Sequence, residues 1–237
     1  MASKKFFLII DTETTQDDKV ADFGAIVCDK AGNIHQEVGI LVKEFYFDRV
    51  NHPLFHQGDF LGGRANLPRR YAAYDQMIED GRRGAYSIAG INRWLLKVKA
   101  KYNPIATAYN KSFDWGKLAN SGIFIDEMFP ESFCLWYAAA EKWGHSKAYL
   151  ECVLRNHFFG NKTKTGHMGI QTMADVMAKF LLGDDLEDEP HTALEDARDY
   201  ELPILKALLK NTSPKQYMNA KPYTYRDYAM RDWFKVK

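Results

Sequence analysis

Three hydrophobic runs of strand length open the sequence. Phe6–Ile10 is continuously apolar and too short for an amphipathic helix, which predicts a central strand covered on both faces. The apolar runs over Lys19–Asp29 and Asn33–Phe45 predict two further strands. The segment Lys30–Asn33 between them carries the turn residues Gly and Asn, which predicts that the two strands form a hairpin. We therefore expect the fold to begin with three adjacent strands, the second and third forming a hairpin.

Helical and strand patterns alternate through the rest of the chain. Apolar residues spaced by three and four predict a helix over Ser87–Tyr102, followed by a fourth strand at Pro104–Tyr109. The segment ESFCLWYAAAEKW, residues 131–143, allows a short fifth strand that runs into a helix. The other predicted helices are Asn110–Gly122, Ala148–Phe159, Gln171–Leu182 and Thr192–Lys210. This order predicts an α/β fold, in which a mixed five-stranded sheet is flanked by helices.

Two segments depart from this pattern. Residues 46–84 show little periodicity and are rich in arginine, proline and glycine, which predicts a looped or partly helical insertion beside the sheet. The C-terminal extension, at about residues 211–237, is aromatic and basic, and its residues 215–237 hold six Lys or Arg against two Asp. Both segments are candidates for contacts with phosphates and bases. For the extension, packing of its tyrosines and Trp233 on the domain is an equal alternative.

The composition is that of a globular protein, with 46% hydrophobic and 27% charged residues in a chain long enough for one sizeable core. Because neither an internal repeat nor a linker divides it, we expect a single domain over residues 1–237. A net charge of +1 gives no global signal for a polyanionic ligand, so such a ligand has to be argued from local features.

Cysteine spacing and hydropathy exclude several classes of protein. Cys28, Cys134 and Cys152 are widely spaced and show no CxxC or zinc-type pattern, so we expect reduced thiols rather than disulfides or a zinc site. The N-terminal apolar run is shorter than the roughly 7–15 residues of a signal-peptide core. No run approaches the roughly 18 apolar residues that a membrane span requires. These features predict a cytoplasmic protein with no membrane partner.

Candidate chemistry begins with Asp11 and Glu13 in the motif DTET, directly after the first strand. Residues two apart on a strand point to the same face, so these carboxylates would project together. At about 5 Å apart they would repel by roughly 3 kcal/mol at an effective dielectric near 20, which calls for a compensating cation. The alternative is that the strand has already ended and both acids lie in water. So short a motif does not decide between the two.

A second motif, NKSFD, covers Asn110–Asp114 and follows the predicted fourth strand. A strand–turn–helix junction presents its first helical residues at the carboxyl edge of the sheet, where α/β sheets commonly bind ligands. The alternative is that Ser112 or Asp114 only caps the helix that begins here.

The third motif, HTALEDA, covers His191–Ala197. Thr192 and Glu195 fit a capping box, which predicts a helix start at Thr192. His191 and Asp196 then occupy positions whose side chains meet across the first turn, which would place an imidazole beside a carboxylate. The alternative is an ordinary helix start with an incidental histidine. The acidic run DDLEDE at residues 184–189 is interpreted as a solvated loop.

Five residues of these motifs occur in the order of a known family: Asp11, Glu13, Asp114, His191 and Asp196. In this order and context the sequence resembles the DEDDh-type 3′–5′ exonucleases of the ribonuclease H-like (DnaQ-like) superfamily. A sister group carries tyrosine four residues before the last Asp, a place that Thr192 occupies here, whereas His191 stands five before it. The histidine subtype is therefore indicated. The residues 46–84 and the C-terminal extension fall outside the family pattern.

The resemblance implies phosphodiester hydrolysis with two metal ions. Asp11, Glu13 and Asp196 would hold one ion, and Asp11 with Asp114, directly or through water, would hold the second. Oxygen ligands without cysteine favour Mg²⁺ or Mn²⁺. His191, whose type has an unperturbed pKa of about 6.5, would take the proton of the attacking water. The implied product is a nucleoside 5′-monophosphate released from a 3′ end, with single-stranded DNA favoured as substrate and RNA as the other candidate.

Several further expectations concern the substrate and partners. Thr14 and Thr15 are expected along the substrate groove, and Asn110 is expected either there or holding its turn. We expect Phe113 in the core rather than stacked on a base, and Glu195 as a capping residue. The alternative function is a catalytically inert nucleic-acid-binding or polymerase-associated module on the same fold. The expected partner is DNA or RNA with a free 3′ end, while a homodimer or a polymerase partner is left undetermined.

Overall fold

The computed structural model of the protein describes residues 5–56, 63–162 and 168–221. The strands of its main sheet are Phe6–Thr14 (β1), Val20–Asp29 (β2), Ile34–Val42 (β3), Gly84–Tyr86 (β4), Ile105–Ala108 (β5) and Ser132–Cys134 (β6). A separate two-stranded sheet consists of Phe159–Lys162 (β7) and Met168–Ile170 (β8). The main sheet has the order β4-β3-β2-β1-β5-β6, which places β1 near its centre.

Helices cover both faces of the main sheet. They are Lys43–Tyr46 (α1), Leu67–Glu79 (α2), Ile88–Tyr102 (α3), Lys111–Asn120 (α4), Ile125–Met128 (α5), Leu135–Trp143 (α6), Lys147–Asn156 (α7), Ala174–Leu182 (α8), Ala193–Asp196 (α9) and Leu202–Leu209 (α10). Between α9 and α10, residues Ala197–Glu201 form a π-helical turn. Short 3₁₀ turns lie at Arg64–Asn66 and Pro214–Gln216.

The sheet is mixed, which confirms the predicted α/β class. β1, β2 and β3 are antiparallel neighbours, whereas β5 and β6 run parallel to β1 and β4 runs parallel to β3. The sheet has six strands rather than the expected five. The additional strand, β4, has only three residues and lies where the arginine-rich segment ends, so it is too short to show a periodic pattern.

Several element boundaries differ from the prediction. The third strand ends at Val42 instead of Phe45, and the chain continues into α1. α7 stops before His157, which adopts the left-handed conformation with φ of 57°. The long helix expected over Thr192–Lys210 is interrupted by the π-helical turn. Pro203 explains part of this interruption, because it has no N–H for the bond that would continue an α-helix.

β1 is buried on both faces, as the continuous apolar run predicted. Phe7 and Ile9 contact the layer formed by α6, α7, α8 and α10. Leu8 and Ile10 point the other way and pack under α3, α4 and α5. A rigid, doubly covered strand therefore leads directly to the acidic residues that follow Ile10.

The described part of the segment at residues 46–84 packs against the sheet through one hydrophobic cluster. A cluster that includes Leu54, Tyr71 and Tyr74 joins α2 to β2 and β3. Leu54 also forms a β-bridge with Thr15. Residues 57–62 of this segment and 222–237 of the C-terminal extension lie outside the described residues.

Cys28, Cys134 and Cys152 are free and buried. Within the described ranges, no helix combines the length and the apolar character needed to cross a bilayer.

Candidate active site

The last residue of β1 that pairs with β5 is Ile9, and Asp11 and Glu13 follow it on the same strand. The two acids remain on the strand, because Asp11 pairs with Gly24 and Glu13 with Asp22 of β2. With side chains alternating along the strand, both lie on the face of Phe7 and Ile9. The alternative that the strand has ended before these acids is therefore wrong.

Asp114 reaches the same place from α4, which begins after β5. Asn110 precedes the helix in the left-handed conformation, with φ of 72°, and turns the chain out of the sheet. The Asp114 side chain is buried, and its Oδ1 accepts a hydrogen bond of 2.8 Å from the Thr12 hydroxyl. No side-chain hydrogen bond caps α4, so the capping alternative for Ser112 and Asp114 does not describe this structure.

His191 lies two residues before α9, and Asp196 is the last residue of this short helix. One ring nitrogen of His191 and one carboxylate oxygen each from Glu13 and Asp196 lie within 4.8 Å of one another. The expected proximity of imidazole and carboxylate is therefore present. The expected capping box is absent among these residues, because the Thr192 side chain does not cap the helix and the Glu195 carboxylate pairs with Arg83 instead.

A buried ion-pair network fixes α9 on β2. The Arg83 guanidinium donates to both oxygens of Asp22, at 3.0 and 3.2 Å, and also pairs with Glu195. Asp22 Oδ2 in turn accepts a 3.0 Å hydrogen bond from the Ala193 N–H. A Cβ on Gly24 would lie only 2.2 Å from the Ala193 carbonyl carbon, so the glycine allows direct backbone contact. This contact holds the start of α9 beside the acidic end of β1.

All five motif residues line one cavity of about 420 Å³. Its apolar lining includes the side chains of Phe55, Phe113, Trp136 and Met173. The expectation of a core position for Phe113 is wrong, since its side chain is 44% exposed. Trp115 and Leu118 occupy the core-facing side of α4, and Phe113 lies two positions from Trp115, on the opposite side of the helix.

The three residues expected along the substrate groove do not share one environment. Thr14 and Asn110 line the cavity. Thr15 is fully buried, and its hydroxyl donates to Asp17 at 2.7 Å and accepts the Lys19 N–H at 3.0 Å. Thr15 therefore stabilises the turn after β1 and lies outside the cavity wall.

Two acidic residues that the sequence motifs did not identify also line the cavity, Glu189 and Glu201. Glu189 belongs to the run that we interpreted as a solvated loop, and for this residue the interpretation is wrong. Partial burial and, as a smaller cause, the negative charge of the nearby Asp175 raise the pKa of Glu189 to about 7. Glu201 is only 2% exposed and its Oε1 accepts a 3.1 Å hydrogen bond from the Tyr109 N–H. In the sequence, the one feature that could have placed Glu189 in the site was its position two residues before His191.

Six carboxyl groups thus share the cavity: Asp11, Glu13, Asp114, Glu189, Asp196 and Glu201. Burial raises the pKa of Glu13 to about 8, although the Arg70 charge opposes the shift, and burial raises the pKa of Asp114 to about 8. For Asp196, burial and then the neighbouring Glu189 and Glu13 raise the pKa to about 10. Without a cation, the cavity therefore cannot keep all of these groups ionised at neutral pH.

The donor set fits a hard divalent cation. Within the described ranges, the buried atoms Asp196 Oδ1 and Glu201 Oε2 have no hydrogen-bond partner. Buried carboxylate oxygens without partners are costly, and metal coordination is one way to satisfy them. Carboxylates with one imidazole and no thiolate suit Mg²⁺ or Mn²⁺.

One arginine approaches this acidic cavity from the segment at residues 46–84. Arg70 Nη2 lies 3.6 Å from Glu13 Oε2, while its Nη1 donates to the Phe55 carbonyl at 2.7 Å. Burial lowers the pKa of His191, and the positive charge of Arg70 lowers it further. The imidazole is therefore neutral at neutral pH and able to accept a proton.

We expect the free energy of unfolding to fall between about pH 6.5 and 9 when a chelator removes divalent ions. The folded-state pKa values of Glu13 and Asp114, about 8, exceed those of about 4 in an unfolded chain. The folded state then binds more protons than the unfolded state, and this stabilisation is lost as the pH rises through about 8. Urea unfolding at several pH values measures the effect. A free energy that is constant or increasing over this range would contradict the prediction.

No protein-family model and no curated protein sequence matches the chain. The structure is similar to that of exonuclease X in complex with 5′-overhanging duplex DNA, at 15% identity, covering 90% of this chain and 98% of that chain with a TM-score of 0.43. It is also similar to exonuclease I in complex with the inhibitor BCBP, at 12% identity, covering 92% of this chain and 43% of that chain with a TM-score of 0.46. At such values neither similarity assigns an activity, which has to come from the residues of the cavity.

Proposed function

We propose that the protein is a metal-dependent 3′–5′ exonuclease of the DEDDh type, acting on phosphodiester bonds of nucleic acid with single-stranded DNA as the favoured substrate. One observation carries this proposal. Three segments far apart in the sequence bring Asp11 and Glu13, Asp114, and His191 with Asp196 to the wall of one cavity. These residues appear in the order of the family motif, so the spatial arrangement and the sequence pattern support the same chemistry.

The lining of the cavity supports the binding of a nucleotide. Phe113 and Met173 expose apolar surface next to the carboxylates, which suits a base lying beside its own phosphate. Asn110 and Thr14 offer polar groups on the same wall. Because the carboxylates repel a phosphate, substrate binding requires cations between them.

The carboxylates divide into two candidate sets of ligands. Asp11, Glu13 and Asp196 would hold one Mg²⁺ or Mn²⁺, and Asp11 with Asp114 the other. When bound, such a pair of ions lowers the pKa of the attacking water and stabilises the leaving 3′ oxygen.

His191 is the proposed general base. Its ring nitrogen lies close to the oxygens of Glu13 and Asp196, and its lowered pKa keeps it neutral at neutral pH. It accepts the proton of the attacking water, and the resulting imidazolium is stabilised by the adjacent carboxylates. The water oxygen bonds to phosphorus and the bond between phosphorus and the 3′ oxygen breaks. The 3′ oxygen remains on the shortened chain as a hydroxyl after taking a proton from solvent, and a nucleoside 5′-monophosphate is released.

End-labelled oligonucleotides test the proposal directly. Single- and double-stranded DNA and RNA, labelled at the 5′ end, are incubated with Mg²⁺, Mn²⁺ or chelator. A 3′–5′ exonuclease gives a ladder of progressively shorter labelled products with either ion and none with chelator, and chromatography identifies the released 5′-monophosphates. Binding of the same oligonucleotides without any shortening would instead support the inert module.

Replacement of His191 by asparagine is expected to slow the chemical step by about 10²- to 10⁴-fold, the usual contribution of a general base. Asparagine is chosen because residue 191 has φ of 55°, a left-handed conformation that asparagine tolerates. Single-turnover rates report the chemical step, and fluorescence anisotropy of a labelled oligonucleotide reports its affinity. We expect affinity to change far less than rate. An unchanged single-turnover rate would assign the base to another group.

A further inference from the structure

Glu201 is a carboxylate of the cavity that the mechanism above leaves without a role. Its side chain is 2% exposed, and one oxygen, Oε1, accepts the Tyr109 N–H at 3.1 Å. The other oxygen, Oε2, is buried and has no hydrogen-bond partner among the described residues. Since Glu201 lines the cavity, this oxygen is available to a ligand that enters there.

The π-helical turn explains how Glu201 comes to face the cavity. Glu201 follows Asp196 by five residues, and in an α-helix it would lie about 140° around the axis from that residue. In the π-helical turn, the Leu202 N–H bonds to the Ala197 carbonyl, five residues back. Residues five apart therefore come close to the same side of the helix, and turns of this type are frequent at functional sites.

Within the cavity, Glu201 lies next to the junction between β5 and α4, because its Oε1 accepts the N–H of Tyr109, which directly precedes the Asn110 that leads into α4. α4 carries Asp114, and the three carboxylates of Asp11, Asp114 and Glu201 line the same cavity. Asp11 and Asp114 are the pair assigned to the second ion, which has fewer carboxylates than the first. A third carboxylate next to this pair supplies the missing negative charge.

We infer that Glu201 is a ligand of the second divalent ion, completing a site with Asp11 and Asp114 for Mg²⁺ or Mn²⁺. The inference rests on the proposed function, because it assigns a residue to one of its two ions. It also explains why an acidic residue is buried here with only one of its oxygens hydrogen-bonded.

The test compares Mn²⁺ binding to the full chain and to Glu201→Gln by isothermal titration calorimetry. Glutamine keeps a carbonyl oxygen for the Tyr109 N–H and removes only the charge. Asp199→Asn is the matched control, because Asp199 lies in the same π-helical turn but is exposed and paired with Arg198. We expect two ions in the unmodified protein and in the control, and a loss of affinity for one ion of about 10- to 100-fold in Glu201→Gln.

The outcomes separate this inference from the proposed function. Two ions bound to Glu201→Gln with unchanged affinities would overturn the role of Glu201 and leave the nuclease proposal intact. No ion bound to the unmodified protein would overturn the nuclease proposal itself and the inference with it. Thermal unfolding in chelator verifies that the variant folds. If Glu201→Gln does not fold, Glu201→Asp is measured in its place. Its shorter side chain moves the carboxylate away from the ion, so the same loss of affinity for the second ion is expected.

Discussion

Replacement of Asp196 by asparagine is expected to reduce phosphodiester hydrolysis by at least about 10³-fold, equivalent to about 4 kcal/mol of transition-state stabilisation. Asp196 is buried and its Oδ1 has no hydrogen-bond partner among the described residues, so the side chain is free to act as a metal ligand. A neutral amide binds hard cations more weakly than a carboxylate. The same loss is expected for Asp11→Asn, since Asp11 would contact both ions. Initial rates of oligonucleotide shortening in Mg²⁺ measure the effect.

Stability separates this loss of ligand from a loss of fold. In chelator, both variants are expected to be at least as stable as the unmodified protein, because each removes one acidic group from a crowded, buried cluster. Asp199→Asn, three residues after Asp196 and outside the cavity, provides the control and should keep full activity. Retention of wild-type rates in Asp196→Asn would refute the proposed metal site.

Replacement of Arg83 by methionine is expected to lower the free energy of unfolding by about 3–5 kcal/mol. The Arg83 and Asp22 side chains are both fully buried, and removing the guanidinium leaves the Asp22 carboxylate without its counter-ion. Glu195 loses its partner as well. Urea denaturation followed by circular dichroism measures the change. Activity should fall with it, because the network holds α9 on β2.

The neighbouring Arg82 supplies a matched control for this substitution. It pairs with Asp80 in a half-exposed ion pair, a type that contributes little to stability. The free energy of unfolding of Arg82→Met is therefore expected to be close to that of the unmodified protein. Equal losses in the two variants would show that the buried network has no special role.

The main strands could be predicted because each is a long apolar run in the central part of the sheet. β1 and β2 have nine and ten residues, enough to show a pattern. β4 and β8 have three residues each, and they owe their conformation to pairing with neighbouring strands rather than to their own sequence. Length alone does not decide which strands can be predicted, because β6 also has three residues and was predicted from the apolar segment that continues into α6.

In the site, two pairs of motif residues could be predicted because their relation is local, whereas only the resemblance to the exonuclease family connected these pairs with each other and with Asp114. Asp11 and Glu13 are two apart on a strand, and His191 and Asp196 lie across one helical turn, so spacing alone predicts their proximity. Arg83 could not be identified in this way, because its partners lie 61 and 112 residues away in the sequence. Glu201 was missed because a regular helix would direct it away from Asp196, and no local pattern indicated the π-helical turn.

The same distribution of residues has a consequence for biosynthesis. A polypeptide emerging from the ribosome exposes Asp11, Glu13 and Asp114 long before Asp196 and Glu201 have been made. Until α9 docks on Gly24, a nascent chain has only part of the proposed ligand set and leaves that stretch of β2 uncovered. Chains truncated before α9 are therefore expected to lack Asp196 and Glu201 and, with them, a complete set of the proposed metal ligands.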